Sequence, residues 1–169
     1  DEYARGIEAY QKMALAFGIT TVHEADVTPG SGEIEAFKNL EKNGRLSLRV
    51  RASLSVDSKK GPEQVAALAA ERDGTTGDLF QTRAAKIFVD GVVEGGTAYL
   101  KEPYAHLPGS RGEFLWTAEN LNRVCAELNR RGFQIHVHAI GDAAAAVTLD
   151  ALAFARKEFP LQTRAFESS

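Results

Sequence analysis

The chain has 169 residues, a mass of 18.3 kDa and a formal net charge of −3, with 44% hydrophobic and 25% charged residues. This length suits one domain with a real core, and the composition excludes a chain that is disordered throughout. The near-neutral charge indicates neither a nucleic-acid partner nor an anionic membrane surface. Cys125 is the single cysteine, which excludes an intrachain disulfide framework and a cysteine-based structural zinc site.

The sequence predicts no membrane span, and its first residues do not resemble a leader. No run of about 18 apolar residues predicts a transmembrane helix, and the first ten residues are charged and helical in pattern, unlike a signal peptide. There is no initiating Met, so we expect a piece of a longer protein. One cysteine does not fix the compartment, although the cytoplasm is the expectation.

Helices and strands alternate along the chain. Helical spacing of apolar residues predicts five helices, over residues 1–17, 33–43, 61–73, 118–131 and 142–159. Short β-branched or alternating segments predict four strands, over residues 19–22, 46–56, 84–89 and 133–139. The Gly-rich segment 91–115 is too long for a routine connection, so it is either functional or mobile.

This order of elements predicts an α/β fold built from about four parallel β-α units. Two closures fit the order: a doubly wound sheet, or part of an eight-stranded (β/α)8 TIM-type barrel. Four strands make a small complete sheet but only half of a barrel. Both architectures place chemistry at the carboxyl ends of the strands.

Three of the four histidines fall at the ends of predicted strands, whereas His106 lies in the long segment 91–115. His136 and His138 are two residues apart on one strand, so their imidazoles point to the same face, as metal ligands do. The alternative is that one or both are core or hydrogen-bonding histidines.

Lys86 stands inside the apolar strand AAKIFVDG. An ammonium group there is costly unless it is paired or chemically altered. It is either an edge-strand lysine whose head reaches solvent, or a functional lysine: a Schiff-base residue, a desolvated base or a carbamylated metal ligand.

Three segments of the chain, in this order, resemble the amidohydrolase superfamily. They are GITTVHEA (18–25), KIFVDGVVEGGTAYLKEPY (86–104) and HVHAIGDAAAAVTLDAL (136–152). The branch is amidohydrolase family 3, which includes enzymes like N-substituted formamide deformylase. The resemblance extends through essentially the whole chain, and its K-I-F-x-D-G and HAIGD motifs are specific in combination.

The resemblance implies a metal-dependent barrel hydrolase with one or two divalent ions, zinc being the expected metal. Lys86 matches the metal-binding lysine of the family's fourth strand, which is often carbamylated. His138 matches the histidine of the fifth strand, and His136 precedes it on the same face as a further candidate ligand. The resemblance thus assigns catalytic roles to Lys86 and His138.

The resemblance also indicates residues that line the substrate site. His23, Asp90 and Glu94 fall in family-like motifs around the site. His106 belongs to the long segment 91–115, which we expect to face the substrate or, equally, to be a surface excursion.

The chain departs from the family pattern in ways that indicate about half a barrel. The H-x-H pair of the family's first strand and the aspartate of its eighth are absent, so two of the usual six ligand positions remain. Ser168 follows Glu167 where the family tends to place Glu-His. Half a barrel leaves two open sheet edges, and we expect either a homo-oligomer or the missing remainder of the barrel to cover them.

These features predict a metal-dependent amidohydrolase fragment, inactive alone, from an enzyme that hydrolyses a C–N bond of an amide, formamide or cyclic amide with a metal-activated water. The expected partner is a small-molecule substrate, with no nucleic acid and no membrane. One alternative is a metal-free, non-catalytic binding protein of the same family, which Ser168 favours. Another is a small complete α/β protein in which Lys86 forms a Schiff base.

Overall fold

The structure is a computed structural model that describes residues 2–160. Within them, four parallel strands form one sheet in the order β1-β2-β3-β4: β1 (Thr21–Val27), β2 (Arg49–Ser55), β3 (Phe80–Phe88) and β4 (Gln134–His138). Helices alternate with the strands: α1 (Glu2–Ala16), α2 (Gly32–Lys42), α3 (Val65–Asp73), α4 (Ala118–Arg130) and α5 (Asp142–Glu158). The predicted α/β class with four parallel strands is therefore confirmed.

The order of the strands separates the two closures that the sequence allows. A doubly wound sheet reverses its strand order at a switch point. Here every new strand is added beside the preceding one on the same side of the sheet. Sequential addition of parallel strands is the connectivity of a β/α barrel.

The helices cover one face of the sheet. A single core cluster joins apolar residues of the strands, such as Leu54 and Ile87, to apolar residues of the helices, such as Ile34 and Leu121. Leu54 and Ile87 are completely buried. Because side chains alternate between the faces of a strand, the residues beside them point to the opposite face, which no helix of the described part of the chain covers.

Two helices begin at the capping residues that their sequences favour. The Ser31 hydroxyl accepts a hydrogen bond from the Ile34 N–H, and the Thr117 hydroxyl accepts one from the Asn120 N–H at 3.2 Å. Each cap satisfies a backbone donor that the helix leaves free.

No helix within residues 2–160 is long and apolar enough to cross a bilayer.

All four strands differ from their predicted bounds: the second and fourth are shorter than predicted, over residues 49–55 and 134–138, and the first and third are longer. The first strand spans residues 21–27 rather than 19–22, so His23 and Glu24 lie inside the strand and not after it. The third strand begins at Phe80, four residues before the predicted start. In the first strand, pairing with β2 extends the strand through Glu24, which local propensity disfavours. In the third, residues 80–82 pair with residues 50–52 of β2.

Candidate functional site

Polar side chains occupy the uncovered face of the sheet, and each strand contributes one to a central group. We call this group the polar network; its members are His23 on β1, Ser53 on β2, Lys86 on β3 and His136 on β4. Lys86 and His136 are direct partners in the register of β3 and β4. The parallel pairing thus brings together residues that are up to 113 positions apart in the sequence.

The polar network is a continuous series of short contacts. The Nε2 atom of His23 lies 2.7 Å from the Ser53 hydroxyl oxygen, which in turn lies 3.1 Å from Nδ1 of His136. On its other side, Nε2 of His136 lies 3.4 Å from Nζ of Lys86. The two imidazole rings are 4.9 Å apart between centroids.

Burial makes this network electrostatically unusual. Ser53 is fully buried and Lys86 is 7% exposed, because β2 and β3 are the central strands. The Lys86 ammonium also lies 4.9 Å from the ring centroid of Phe88, within cation–π range. Burial lowers the pKa of His136, and the positive charges of Lys86 and His23 lower it further. His136 therefore favours the neutral form, which is the form that binds metals.

His138 lies beside the polar network rather than within it. Its register partner is Phe88, and the two rings are 5.2 Å apart. Its Nε2 atom lies 2.9 Å from the Gly91 carbonyl oxygen, a contact in which the imidazole N–H donates. Nδ1 is then the nitrogen whose lone pair stays available. The described structure thus joins Lys86 directly to His136, and His138 to the start of the long loop.

Asp90 is almost completely buried, and its described hydrogen bonds all come from backbone groups. Its carboxylate accepts the N–H groups of Tyr99 at 2.8 Å, Ile140 at 3.0 Å and Gly141 at 2.8 Å. It thereby ties the loop after β3 to the loop after β4. The loops approach so closely that a Cβ atom at Gly141 would collide with the Tyr99 carbonyl. That Asp90 also faces substrate stays a prediction.

The other two predicted substrate residues are exposed in the loop between β3 and α4. Glu94 lies in a turn, and His106 packs edge-to-face against Tyr104 with 5.4 Å between ring centroids. No contact within the described residues joins either side chain to Lys86 or His136. The long irregular segment itself is confirmed, because residues 89–117 contain no helix or named strand.

The polar network resembles a metal site in the kind of donors it offers. Imidazole nitrogens are ligands for zinc and similar divalent ions. However, residues 2–160 contain no group of three His, Cys, Asp or Glu side chains placed to hold a metal ion. Catalytic zinc takes three protein ligands, so the described donors fit a divalent metal only if Lys86 or residues from elsewhere complete the set. Ser168 lies outside the described residues.

Ser53 is central to the network, although the sequence alone does not predict it as a functional residue. The strand that contains it alternates strictly, LSLRVRASLSV, so Ser53 and Ser55 share the face of Arg51. That alternation was the available signal, but a serine on a strand is common and carries no chemistry by itself. Ser55 instead donates its hydroxyl hydrogen to the Asp26 carboxylate on β1.

Comparison with solved structures identifies a common architecture. The chain superposes on an uncharacterized metal-dependent hydrolase from Pyrococcus furiosus with a TM-score of 0.77 and 32% identity, covering 90% of this chain and 31% of that one. A second uncharacterized metal-dependent hydrolase, from Pyrococcus horikoshii OT3, gives a TM-score of 0.75 and 28% identity, with 89% and 30% coverage.

Curated relatives extend the comparison at the level of sequence. The Bacillus subtilis (strain 168) protein "Putative amidohydrolase YtcJ" is 30% identical over 138 residues, which are 80% of this chain and 25% of that protein. "Exoenzymes regulatory protein AepA" of Pectobacterium carotovorum subsp. carotovorum is 27% identical over 165 residues, 97% of this chain and 35% of that protein. The chain thus spans about a quarter to a third of the length of these relatives.

The family assignment rests on the whole chain. The sequence model of the amidohydrolase family matches residues 1–169. The two metal-dependent hydrolases above share the fold of this chain. The resemblance that the three motifs carry is therefore confirmed, and the chain belongs to amidohydrolase family 3.

Proposed function

We propose that this chain is part of the catalytic barrel of a metal-dependent amidohydrolase that hydrolyses the C–N bond of an amide, formamide or cyclic amide. The observation that carries the proposal is the contact between Lys86 and His136. A buried lysine lies 3.4 Å from an imidazole on the neighbouring strand, on the polar face of a parallel sheet. A structural lysine would be expected to reach solvent instead.

The proposed ligands are Lys86, His136 and His138, and the expected metal is zinc. Loss of a proton from the Lys86 ammonium and addition of carbon dioxide to the resulting neutral amine would form an N–C bond, open one C=O π bond of carbon dioxide and release a second proton. The cation would thereby become an anionic carbamate. The carbamate would remove the cost of a buried cation once a metal neutralises it. His136 and the free Nδ1 of His138 would supply neutral imidazole donors.

A bound divalent metal supplies two effects in this chemistry: it polarises the substrate carbonyl and lowers the pKa of a bound water. The chain's own residues hold and orient the site. Asp90 fixes the loops after β3 and β4 relative to each other through three backbone hydrogen bonds. The first of these loops, residues 89–117, is our candidate for the wall that contacts the substrate.

Zinc content tests the proposal directly. The 169-residue chain is exposed to zinc, freed of excess by gel filtration and analysed for metal, together with Lys86→Ala, His136→Ala and His138→Ala. We expect about one zinc ion per chain or per assembled site, and at least about tenfold weaker binding in each variant. Hydrolysis of a panel of N-formyl amines, carboxamides and cyclic amides is measured on the same samples.

The matched control is Lys12→Ala, which removes an exposed lysine of α1 on the helical side of the sheet. It should bind zinc as the wild type does. Zinc binding that survives both Lys86→Ala and His136→Ala would place the metal elsewhere and refute the proposed ligand set. Addition of short carboxylic acids to Lys86→Ala should restore part of the binding if a carbamate is the ligand.

A second candidate function is a non-catalytic binding or regulatory role. It is favoured by the relative whose name describes a regulatory protein of exoenzymes, which is similar over 97% of this chain. It is also consistent with the absence of three clustered His, Cys, Asp or Glu side chains within residues 2–160. Failure of the wild-type chain to hold zinc, with the fold intact, would favour this candidate over the hydrolase.

We further propose that β1 and β4 do not remain open edges in the assembled protein. In the described structure each pairs with a strand on one side only, and such edges readily pair with other chains. Either a second copy or the remaining β/α units of a longer protein covers them. Sedimentation of the 169-residue chain tests this: a monodisperse 18.3 kDa monomer that hydrolyses substrate would refute it.

A further inference from the structure

We infer that Ser53 is a positioning residue: its hydroxyl accepts the Nδ1–H of His136 and donates its own hydrogen to Nε2 of His23, so that the His136 Nε2 lone pair faces Lys86 and the open site. The inference deepens the proposed function and rests on it for the role of the lone pair. The donors and acceptors of these hydrogen bonds, in contrast, do not depend on a bound metal or on catalytic activity.

The contact between Lys86 and His136 determines which atoms of the network donate and which accept. A lysine ammonium has three donors and no acceptor. If His136 carried its hydrogen on Nε2, two donors would face each other across the 3.4 Å that separates Nε2 from Nζ of Lys86. Neutral His136 therefore presents a bare Nε2 to Lys86 and carries its hydrogen on Nδ1.

The Ser53 oxygen could accept from both rings, but only one arrangement gives its own buried hydrogen an acceptor among the described residues. The Nδ1–H of His136 donates to the Ser53 oxygen across 3.1 Å. A serine hydroxyl has a single hydrogen, and the remaining partner is Nε2 of His23 at 2.7 Å. Ser53 donates to that nitrogen, so His23 carries its own hydrogen on Nδ1. Three strands are thereby linked by hydrogen bonds of one defined direction.

Burial makes this arrangement specific to Ser53. The residue is fully buried, so water cannot readily replace the hydroxyl as the bridge between the two rings. A bridging group fixes both the tautomer and the orientation of a ligating histidine, and loss of such a group typically weakens metal binding about 10–100-fold. Ser55 lies two residues further on the same face, but its hydroxyl donates to Asp26. Ser55 is thus a matched control.

Ring-labelled 15N histidine NMR tests the inference on the zinc-free 169-residue chain. Spectra are recorded at about pH 8.5, roughly two units above the ordinary histidine pKa of about 6.5, so that the rings are neutral. We expect both His136 and His23 as the Nδ1–H tautomer. Ser53→Ala should leave His136 as the Nδ1–H tautomer, because Lys86 still faces Nε2. It should shift the His136 Nδ1–H resonance, which loses its acceptor, and move His23 toward the Nε2–H tautomer, because His23 loses its donor. Ser53→Thr should restore the wild-type pattern, and Ser55→Ala should leave both rings unchanged.

The outcomes separate this inference from the proposed function. An Nε2–H tautomer of His136 in the wild type overturns the inference, and so does a Ser53→Ala spectrum in which both the His136 Nδ1–H resonance and the His23 tautomer are unchanged. If Ser53→Ala does not fold, the wild-type and Ser53→Thr spectra decide. If the chain shows the expected tautomers but binds no zinc, the inference about the hydrogen bonds of Ser53 is supported and the proposed metal site is not. Zinc binding of equal affinity in the wild type and Ser53→Ala overturns the positioning role.

Discussion

The two faces of the sheet are made by neighbouring residues of the same strands, yet they are filled in different ways. Leu54 and Ile87 face the helices and are completely buried in the apolar core. Ser53 and Lys86, which immediately precede them, face the other side and are buried against polar groups. One face is covered by helices and held by hydrophobic packing, whereas the other, which the described helices leave uncovered, carries a hydrogen-bonded polar network.

This difference separates the source of stability from the source of chemistry. Apolar packing on the helical face is non-directional, so it tolerates changes of residue that preserve volume and shape. The polar network depends on donors and acceptors at particular atoms, and a buried polar group that loses its partner is costly. We therefore expect substitutions on the helical face to affect mainly stability and those on the polar face to affect mainly binding.

The largest expected effect is a loss of packing on the helical face. Ile87→Ala removes a completely buried side chain and should lower the free energy of unfolding by about 2–5 kcal/mol, because it leaves a cavity. Urea unfolding measures this loss. Ile87→Val is the graded control, at about 0.5–1.5 kcal/mol. Folded Ile87→Ala protein should keep the wild-type His136 tautomer, and a changed tautomer would show that the two faces are coupled.

Asp90→Asn tests the connection between the two loops at the carboxyl ends of β3 and β4. One carboxylate oxygen accepts two backbone N–H groups and the other accepts one. An amide would place its own donor against at least one of them, so we expect a loss of about 2–3 kcal/mol. Hydrogen exchange should rise at Tyr99 and Gly141, and unchanged exchange there would contradict the role that we assign to Asp90.

The strands and their direction could be predicted because their signals are local. Alternation in LSLRVRASLSV marks β2 and its two faces, and Lys86 stands out as a cation within an apolar strand. The first strand extends beyond its predicted end because pairing with β2 overrides the low strand propensity of Glu24.

The arrangement of the site could not be predicted, because register and loop contacts are tertiary. Spacing puts His136 and His138 on one face, but only the β3–β4 register sets Lys86 opposite His136 and Phe88 opposite His138. Two of the three backbone partners of Asp90 lie about 50 residues away in the sequence. No periodicity encodes contacts of that separation.

Lys86→Met tests the polar face of the sheet, where we expect replacement of a buried residue to increase stability rather than to decrease it. Replacing a buried cation with an apolar side chain of similar length should raise the free energy of unfolding of the zinc-free chain by about 1 kcal/mol, while zinc binding is lost. Lys60→Met, which removes a lysine of an exposed pair with Asp57, is the control and should give no gain. A clear loss of stability in Lys86→Met would mean that the lysine is a structural element of the sheet.

The smallest expected effect lies on α4, at the surface of the helical layer, where an ion pair makes stability depend on pH. The Glu127 carboxylate accepts hydrogen bonds from Arg130 at 2.6 Å and from Arg131 at 2.6 Å. The hydrogen bond from Arg130 is the largest cause, and together these contacts lower the Glu127 pKa to about 2. A lowered carboxyl pKa stabilises the folded state fully above the unfolded pKa, which is near 4.5.

This contribution should disappear as the pH falls from about 5 through 2, since the folded-state carboxylate then becomes protonated. Glu127→Gln should therefore be less stable than the wild type at pH 7 by less than about 1 kcal/mol, because solvent screens a surface pair. The two proteins should become equal near pH 2. Glu119→Gln on the same helix is the control, since its contact with Arg123 is 4.0 Å long. A Glu127→Gln difference that does not change with pH would show that the side chain stabilises α4 through packing rather than charge.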